Sequence, residues 1–159
     1  MSNADTINRF YSAFAKRDPV TMASCYDESA VFSDEAFDLK GKREVAGMWA
    51  MLLSTPQKPG DEVWKLEFSN VSASGNEGQA HWDATYRFTA TGRLVINRID
   101  AKFRFNDAGL IVEHRDTFDF WRWARQALGA PGALLGWTPF LRNKVRTQAR
   151  ANLDKFLAK

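Results

Sequence analysis

The sequence predicts an α+β domain in which helices come first and a curved antiparallel sheet follows. Apolar residues recur at helical spacing near the start of the chain, at Ile7, Phe10, Tyr11 and Phe14. From residue 62 to residue 121, apolar and polar residues alternate with the two-residue period of β-strands. This order of elements is typical of α+β folds. Helices laid across the concave side of such a sheet would make a cone with an apolar interior, which is a natural ligand site.

The helical part of the chain should contain three helices and one short strand. The first helix is predicted over residues 5–16, and Pro19 suits the first position of a second, short helix. Residues 30–32 are predicted to form a short strand, and a third helix is predicted over residues 43–53. The segment 54–60 contains two prolines and is expected to be a loop.

Four long strands joined by short turns should make up the rest of the sheet. Each predicted turn contains glycine, which marks the end of one strand and the start of the next. An antiparallel meander of this kind is expected to have one dry face. The alternating segments are residues 64–68, 82–88, 95–105 and 110–120.

The end of the chain has a different pattern. Residues 127–137 are rich in glycine and alanine and are expected to be irregular, whereas Thr138 and the proline after it are a good helix start. The helix predicted over residues 139–157 has an apolar stripe that must pack on something, namely the mouth of the cone, a second subunit or a membrane. We therefore predict a cone domain over residues 1–121 and an extension over residues 122–159, which closes the cavity or clasps a partner subunit. The stripe consists of Leu141, Val145, Ala149, Leu153 and Phe156.

Length and composition fit one soluble globular domain. The chain has 159 residues, of which 45% are hydrophobic and 26% are charged. Cys25 is the single cysteine, so no internal disulfide can form and the cytoplasm is the expected location. The uncharged segment of residues 127–138 contains three glycines and a proline, so no membrane span is expected.

Charge is distributed unevenly along the chain. Residues 121–159 hold eight basic residues and one acidic residue, whereas residues 1–120 have a net charge of −4. A basic tail could bind nucleic acid or an anionic membrane. The tail lacks the clustered basic run that those partners need. We therefore expect neither partner and expect the tail to dock on the acidic body or on a second subunit.

The most informative residues interrupt the apolar pattern of the last strand. Every second residue of this strand, starting with Leu110 and Val112 and continuing to Phe118, is expected to face the core. This set also contains His114 and Asp116. Residues two apart in a strand lie side by side on one face, and burying them without partners costs several kcal/mol. The functional interpretation is an acid–base pair at the floor of the cavity. The alternatives are a structural hydrogen-bonded pair or a bulge that turns one of them outward.

Other candidate site residues carry weaker signals. Asn97 is a polar residue on an apolar parity, and it could bind a ligand oxygen or a backbone group. Asp34 follows the first short strand, where a turn role is as good an explanation as a catalytic one. No phosphate loop or zinc spacing is present, and the pair His114 and Asp116 supplies too few ligands for a metal, so no cofactor is expected. Five aromatic residues are predicted to be core residues or to line a ligand pocket, namely Trp82, Tyr86, Trp49, Tyr26 and Phe118.

Three segments, in this order, resemble the nuclear transport factor 2-like superfamily in its SnoaL-like branch. They are residues 26–34 (Tyr-Asp-Glu-Ser-Ala-Val-Phe-Ser-Asp), residues 39–42 (Leu-Lys-Gly-Lys) and residues 109–119 (Gly-Leu-Ile-Val-Glu-His-Arg-Asp-Thr-Phe-Asp). The resemblance covers about residues 5–121 and implies a cone-shaped fold, a small apolar ligand and a homodimer formed through the outer face of the sheet. It does not fix the activity, because the superfamily holds isomerases, cyclases, hydrolases and non-catalytic binders.

The resemblance carries some functional residues over and not others. Asp34 falls where ketosteroid isomerases keep a proton-shuttling carboxylate, but the positions of their tyrosine and second acid are Phe10 and Ala101. Asp116 resembles the last-strand aspartate of limonene epoxide hydrolases and SnoaL-type cyclases. The inward Arg-x-Asp pair of those hydrolases corresponds to Trp82 and Ala84. Steroid isomerisation and epoxide hydrolysis of the known kinds are therefore not expected.

Two classes of function follow from these residues. In the first, the protein is a cofactor-independent isomerase, cyclase or hydrolase that transfers a proton or adds water to a small apolar ligand. Asp116 is its general base, His114 orients the base or acts as the acid, and Asp34 faces them across the cavity. In the second, the domain only binds a small molecule through the same polar pair, or it binds another protein through its open sheet face.

Overall fold

The computed structural model describes residues 2–159 and confirms the α+β class. The helices and strands alternate irregularly along the chain, with the longest strands in its middle. In order, they are α1 (Asn3–Ala15), α2 (Pro19–Ser24), β1 (Tyr26–Ser33), β2 (Asp38–Lys40), α3 (Lys42–Leu53), β3 (Lys65–Ser74), β4 (Glu77–Arg87), β5 (Leu94–Phe105), β6 (Ile111–Thr117), α4 (Phe120–Leu128), α5 (Ala130–Leu135) and α6 (Pro139–Leu157).

Local capping explains where the first two helices begin. The Ser2 hydroxyl accepts a hydrogen bond from the Asp5 backbone N–H at 3.1 Å, and the Asp5 carboxylate accepts one from the Ser2 N–H at 3.0 Å. This capping box satisfies two donors that a helix start leaves free. Asp18 accepts from the Thr21 N–H and caps α2, which begins at Pro19 as predicted.

The six strands form one sheet in the order β2-β1-β6-β5-β4-β3. Strands β3 to β6 are the predicted antiparallel meander, and β1 adds to β6 in parallel. The alternation in β5 is regular, with every second residue from Val95 to Phe105 buried against α1 and α3 or the later helices. The predicted strand over residues 30–32 is too short, because a register irregularity between Tyr26 and Val31 interrupts the alternation in β1.

The prediction for residues 118–137 is wrong in two respects. The last strand ends at Thr117, and Phe120 begins α4 because the Asp119 carboxylate accepts a hydrogen bond from the Arg122 N–H at 3.0 Å. The segment expected to be irregular contains the end of α4 and all of α5. Gly132 permits this turn, since a Cβ at that position would overlap the Ala124 carbonyl oxygen.

Helix α6 packs on the body of its own chain. Leu153 is fully buried against α3, and Gly47 of α3 leaves the space that Leu157 fills. The Arg150 guanidinium donates to both carboxylate oxygens of Glu44, at 3.1 and 2.8 Å, and holds the pKa of Glu44 at about 2. The tail therefore contacts acidic residues of the body through Arg142 and Arg150. None of the helices in residues 2–159 is long and apolar enough to cross a membrane.

Candidate active site

His114 and Asp116 lie side by side on the concave face of β6, as the sequence predicts. They are 1% and 3% exposed, and His114 Nε2 is 2.8 Å from Asp116 Oδ1. The predicted alternation of buried and exposed residues is observed from residue 113 onward but not before it. A register irregularity where Phe105 meets Ile111 makes Ile111 fully buried and leaves Val112 half-buried. The polar pair thus sits just beyond an irregular stretch of the last strand.

A chain of hydrogen bonds supports His114 from behind. The Trp49 indole N–H donates to the Tyr26 hydroxyl at 2.9 Å, and that hydroxyl is 2.7 Å from His114 Nδ1. Because an indole N–H can only donate, the phenol oxygen accepts and its own proton is free for Nδ1. Nε2 then carries the ring proton and donates it to Asp116. In this arrangement every donor in the chain is used, and the imidazole is fixed in one tautomer.

Aromatic rings enclose these hydrogen-bonded side chains and exclude water from them. Ring centroids of Phe103, Phe32 and Phe10 lie 4.3, 5.0 and 5.6 Å from that of His114. Burial raises the pKa of Tyr26 well above its ordinary value, so the phenol keeps its proton. Hydrogen bonds in so apolar a setting are electrostatically stronger than in water. The chain therefore holds Asp116 Oδ1 in a defined position.

Two buried donors inside the cone have no partner within residues 2–159. They are the Tyr11 hydroxyl and the Trp82 indole N–H, and the ring centroids of these residues are 6.2 Å apart. Burial, and next the charge of Asp116, raise the pKa of Tyr11 well above its ordinary value. Arg17 Nε is also unpartnered, but another nitrogen of that guanidinium bonds the Leu53 carbonyl, away from this group. Buried polar groups are almost always paired, so the Tyr11 and Trp82 donors indicate where a ligand acceptor could bind.

Asp34 belongs to the surroundings of the pair, although not where the sequence placed it. In the parallel ladder Phe32 lies opposite His114, so Asp34 follows beside Asp116 rather than across the cone from it. Its Oδ1 accepts the backbone N–H groups of Ala36 and Phe37, both at 2.7 Å, so the turn role is real. Burial and the charge of Asp116 nonetheless raise its pKa to about 7.

The remaining predicted ligand residues cluster toward one end of the cone. Asn97 is 7% exposed on the concave face of β5, and its amide makes no hydrogen bond within the described chain. The Tyr86 hydroxyl accepts from the Trp123 indole N–H at 3.0 Å, and burial raises the pKa of Tyr86 to about 12. Phe118 packs between the main core and the cluster around α4. Helix α4 therefore covers this end of the cone.

The hollows described in residues 2–159 lie on the surface of the domain. The two surface hollows described in the structure have volumes of about 410 and 510 Å³. One lies where the N-terminus meets two turns, and the other lies along the outside of α6. Neither is lined by His114 or Asp116, so the ligand cavity stays a prediction. In residues 2–159, no three His, Cys, Asp or Glu side chains are grouped so that they could hold a metal ion.

Sequence patterns could not find two features of this site. Tyr11 lies on the buried face of α1 next to Phe10, and only the rotation of that helix decides which ring points at Asp116. Tyr26 and Trp49 were predicted as aromatic pocket or core residues, but their polar atoms form the chain behind His114. The pairing of residues 88 positions apart depends on the parallel addition of β1 to β6.

The comparison with protein families identifies the class of protein. The model of the SnoaL-like domain family matches residues 7–114, more than half of the chain, and the chain belongs to this family. The matched region runs from α1 through β5 into β6 as far as His114, and it ends two residues before Asp116. No curated protein sequence gives a significant match.

Solved structures show the same nuclear transport factor 2-like cone fold at low sequence identity. A candidate polyketide cyclase from Pseudomonas putida has a TM-score of 0.63 and 14% identity, over 80% of this chain and 98% of its own. A protein with a ketosteroid isomerase-like fold from Catenulispora acidiphila, in complex with trimethylamine, has a TM-score of 0.66 and 12% identity, over 85% and 98%. An LEH-like epoxide hydrolase from M. tuberculosis has a TM-score of 0.60 and 18% identity, over 84% and 94%.

Proposed function

We propose that the protein is a cofactor-independent acid–base enzyme that acts on a small apolar ligand with one oxygen acceptor. One observation carries the proposal. Asp116 is buried with one carboxylate oxygen fixed by His114, while its other oxygen makes no hydrogen bond within residues 2–159. A buried carboxylate with a free oxygen is able to take a proton from a ligand or from a water molecule.

The neighbouring groups suit the two halves of such a reaction. Asp116 would remove a proton from a carbon next to a carbonyl, or from a water that adds to the ligand. The Tyr11 hydroxyl and the Trp82 indole N–H would donate to the ligand oxygen as negative charge develops there. His114, Tyr26 and Trp49 are positioning residues, because they hold the base and do not reach the ligand themselves.

Asp34 would complete the proton transfer. Its pKa of about 7 means that it is partly protonated near neutral pH, whereas an ordinary aspartate is not. Two neighbouring carboxyl groups with different surroundings can serve as acid and base. Asp34 would therefore return the proton to the product after Asp116 has taken one. Asn97, whose amide is unpaired, would bind a second polar group of the ligand.

The comparisons support the class of chemistry and leave the substrate open. One similar structure is named as a candidate polyketide cyclase and another as an epoxide hydrolase. Cyclisation through a carbanion and the addition of water to an epoxide both benefit from a base that accepts a proton, and a carboxylate can be that base. The free oxygen of Asp116 supplies that group here.

A non-catalytic binding module is the second candidate, because the unpaired donors can bind a ligand without any proton transfer. Aromatic rings occupy the space around His114, and α4 covers one end of the cone. In this function the same unpaired donors would fix one polar group of a bound molecule without chemistry. The difference between the two candidates lies in proton transfer alone.

The test incubates the protein with cyclohexanone in deuterated water and follows exchange of the α-protons by NMR. With limonene epoxide as a second probe, diol formation is followed by chromatography. An enzyme accelerates one of the two reactions, and Asp116→Asn abolishes it, whereas Asp100→Asn on the outer sheet face leaves it unchanged. Binding of a probe without acceleration would support the binding module instead.

We also propose a homodimer formed through the outer face of the sheet. That face carries charges of both signs, which permits a self-complementary contact. It also exposes Leu94 and Ile96 at the start of β5. Sedimentation at micromolar concentration should show a dimer with twice the monomer mass of 18.0 kDa. A single species with the monomer mass would contradict the proposal. The charged residues of the outer sheet face are Arg87, Arg98, Asp100, Lys102 and Arg104.

The cytoplasmic location, suggested by the single buried Cys25, stays a prediction.

A further inference from the structure

Large apolar side chains project into solvent from the C-terminal extension. Leu134, Trp137 and Phe140 are 71%, 68% and 69% exposed. Trp121 and Leu135 are also exposed, and with these three they form a surface that we call the apolar tip. Half of the ten exposed large apolar residues found in residues 2–159 lie within this part of the chain. An apolar patch of this kind on a folded domain marks an interaction site.

The apolar tip is held in shape by its own hydrogen bonds and packing. The Trp121 indole N–H donates to the Ala133 carbonyl at 3.0 Å, and the Trp137 indole N–H donates to the Leu134 carbonyl at 3.0 Å. Gly132 packs directly on the backbone of Ala124. The exposed rings are therefore presented by a defined turn between α4 and α6 and are not simply side chains of a loose segment.

The charged residues of the segment that carries the apolar tip are all basic. The segment from Phe120 to Leu153 contains six basic residues and no acidic residue. Three of the six are engaged with the body, since Arg150 binds Glu44, Arg142 binds Glu35 and Arg146 binds two backbone carbonyls. The other three form no ion pair within residues 2–159, and all three are exposed. These free cations are Arg122, Arg125 and Lys144.

We propose that the apolar tip docks on the surface of an anionic lipid bilayer. Tryptophan and phenylalanine insert into the interfacial layer of a bilayer, and nearby cations add attraction to anionic headgroups. This charge complementarity favours a bilayer over a second copy of the same surface, because two tips face to face would bring like charges together. The protein would lie on the membrane, since none of its described helices can cross it.

A membrane partner is not expected from the sequence, but the fold brings together helices that carry basic residues of the tail. That expectation rested on the lack of a basic run in the sequence. Helix α4 carries Arg122 and Arg125, α6 carries Lys144, and both helices contact α5. The fold therefore packs two helices, whose cations are about twenty residues apart in the sequence, against the α5 segment of the apolar tip.

The experiment measures co-sedimentation of the intact protein with sucrose-loaded vesicles. One set is phosphatidylcholine alone, and the other is an equimolar mixture of phosphatidylcholine and phosphatidylglycerol. We expect binding to the anionic set only, and we expect it to weaken with added salt. Phe140→Ser should weaken this binding about tenfold or more, because it removes one inserted ring. Adding Trp137→Ser should weaken it further.

Matched variants separate insertion and charge from general effects. Val20→Ser removes an equally exposed apolar residue from α2 and should leave vesicle binding unchanged. The double variant Arg122→Glu with Lys144→Glu should abolish binding to the anionic set, whereas Lys102→Glu on the sheet should not. Circular dichroism of each variant confirms that the fold is intact before binding is compared.

Four outcomes would overturn the proposal. The first is that the intact protein does not bind the anionic vesicles at low salt. The second is that Phe140→Ser and Val20→Ser bind equally well. The third is that the Phe140→Ser variant loses an oligomer that the intact protein forms without lipid, which would make a second copy the partner. Capture of an acidic protein by the tip, with no vesicle binding, would likewise assign the surface to protein recognition.

Discussion

The interior of the cone and the C-terminal extension depart from the usual distribution of side chains in opposite ways. Inside the cone, polar groups are buried, and His114 and Asp116 are bonded to each other in an aromatic enclosure. On the extension, Trp137 and Phe140 are exposed although they are among the most apolar side chains. A buried polar group requires a partner, whereas an exposed apolar group requires a covering surface. The interior indicates a small ligand, and the extension indicates a large partner.

The two regions also differ in how their shape is maintained. The interior depends on contacts between residues far apart in the sequence, such as Tyr26 with His114. The apolar tip depends on contacts between residues within about twelve positions, such as Trp121 with Ala133. We therefore expect substitutions inside the cone to affect stability and activity strongly. Substitutions at the surface of the extension should affect binding and leave the fold unchanged.

The largest expected effect is on catalysis by Asp116→Asn. The asparagine side-chain oxygen can still accept the His114 N–H, so the fold should be retained, but the amide cannot take a proton from the ligand. The rate of proton exchange or water addition should fall by about a thousandfold. Stopped assays with the probes described above measure this rate, and thermal unfolding confirms the fold. Retention of the full rate would show that the buried pair is structural.

The next largest effect is on stability by His114→Ala. This change removes a buried ring and leaves the Tyr26 hydroxyl and the Asp116 carboxylate without the partner between them. The free energy of unfolding should fall by about 3–5 kcal/mol. The control is His81→Ala on the outer sheet face, where His81 is bonded to Asp83 and Asp100 near solvent. That change should cost no more than about 1 kcal/mol. Urea unfolding curves compare the two.

How much the sequence could predict also differs between the two regions. The alternation in β5 and β6 placed Asn97, His114 and Asp116 on the inner face, because a two-residue period leaves only one choice of face. The alternation could not predict the position of the Tyr11 hydroxyl, since the direction of this side chain depends on how α1 is rotated over the sheet. The cavity inside the cone stays a prediction, because the sequence pattern does not show how side-chain volumes fit together in three dimensions.

In the extension, the same alternation was misleading. Phe118 and Phe120 continue the two-residue pattern of β6, so the predicted strand runs too far. Phe120, Trp123 and Ala127 also fit helical spacing, and the Asp119 cap decides in favour of the helix. Phe120 fits both the two-residue period of a strand and the spacing of a helix. The capping hydrogen bond and the packing on Val95 decide in favour of the helix. The exposure of Trp137 could not be predicted, because it depends on the path of α5.

A smaller effect concerns the pH dependence of stability through Asp34. Its pKa is about 7 in the folded protein, compared with 3.8 ordinarily, so the folded state binds this proton more tightly than the unfolded state. Between pH 4 and pH 7 this group therefore makes the protein less stable as pH rises, by an amount on the order of 1–3 kcal/mol.

The variant Asp34→Asn isolates this contribution. The amide oxygen can still accept from the Ala36 and Phe37 N–H groups, so the turn is retained. Relative to wild type, the variant should gain free energy of unfolding as pH rises from about 4 to about 8. Urea unfolding of both proteins at several pH values measures the difference. A difference that does not change with pH would mean that Asp34 titrates normally and is not the proposed acid.

The smallest expected effect is that of Phe140→Ala on the stability of the extension, and the adjacent residue of α6, Leu141, serves as its comparison. Phe140 is 69% exposed, whereas Leu141 is buried with Val95 and Phe120. Leu141→Ala should lower the free energy of unfolding by about 2–4 kcal/mol, because it leaves a cavity under the helix. Phe140→Ala should change it by less than about 0.5 kcal/mol, since the ring contacts mainly water. If Phe140→Ala destabilises the protein as much as Leu141→Ala, then the ring has a structural partner and the apolar tip is not a free surface. If Phe140→Ala has no such effect but weakens vesicle binding, the exposed ring serves the partner rather than the fold.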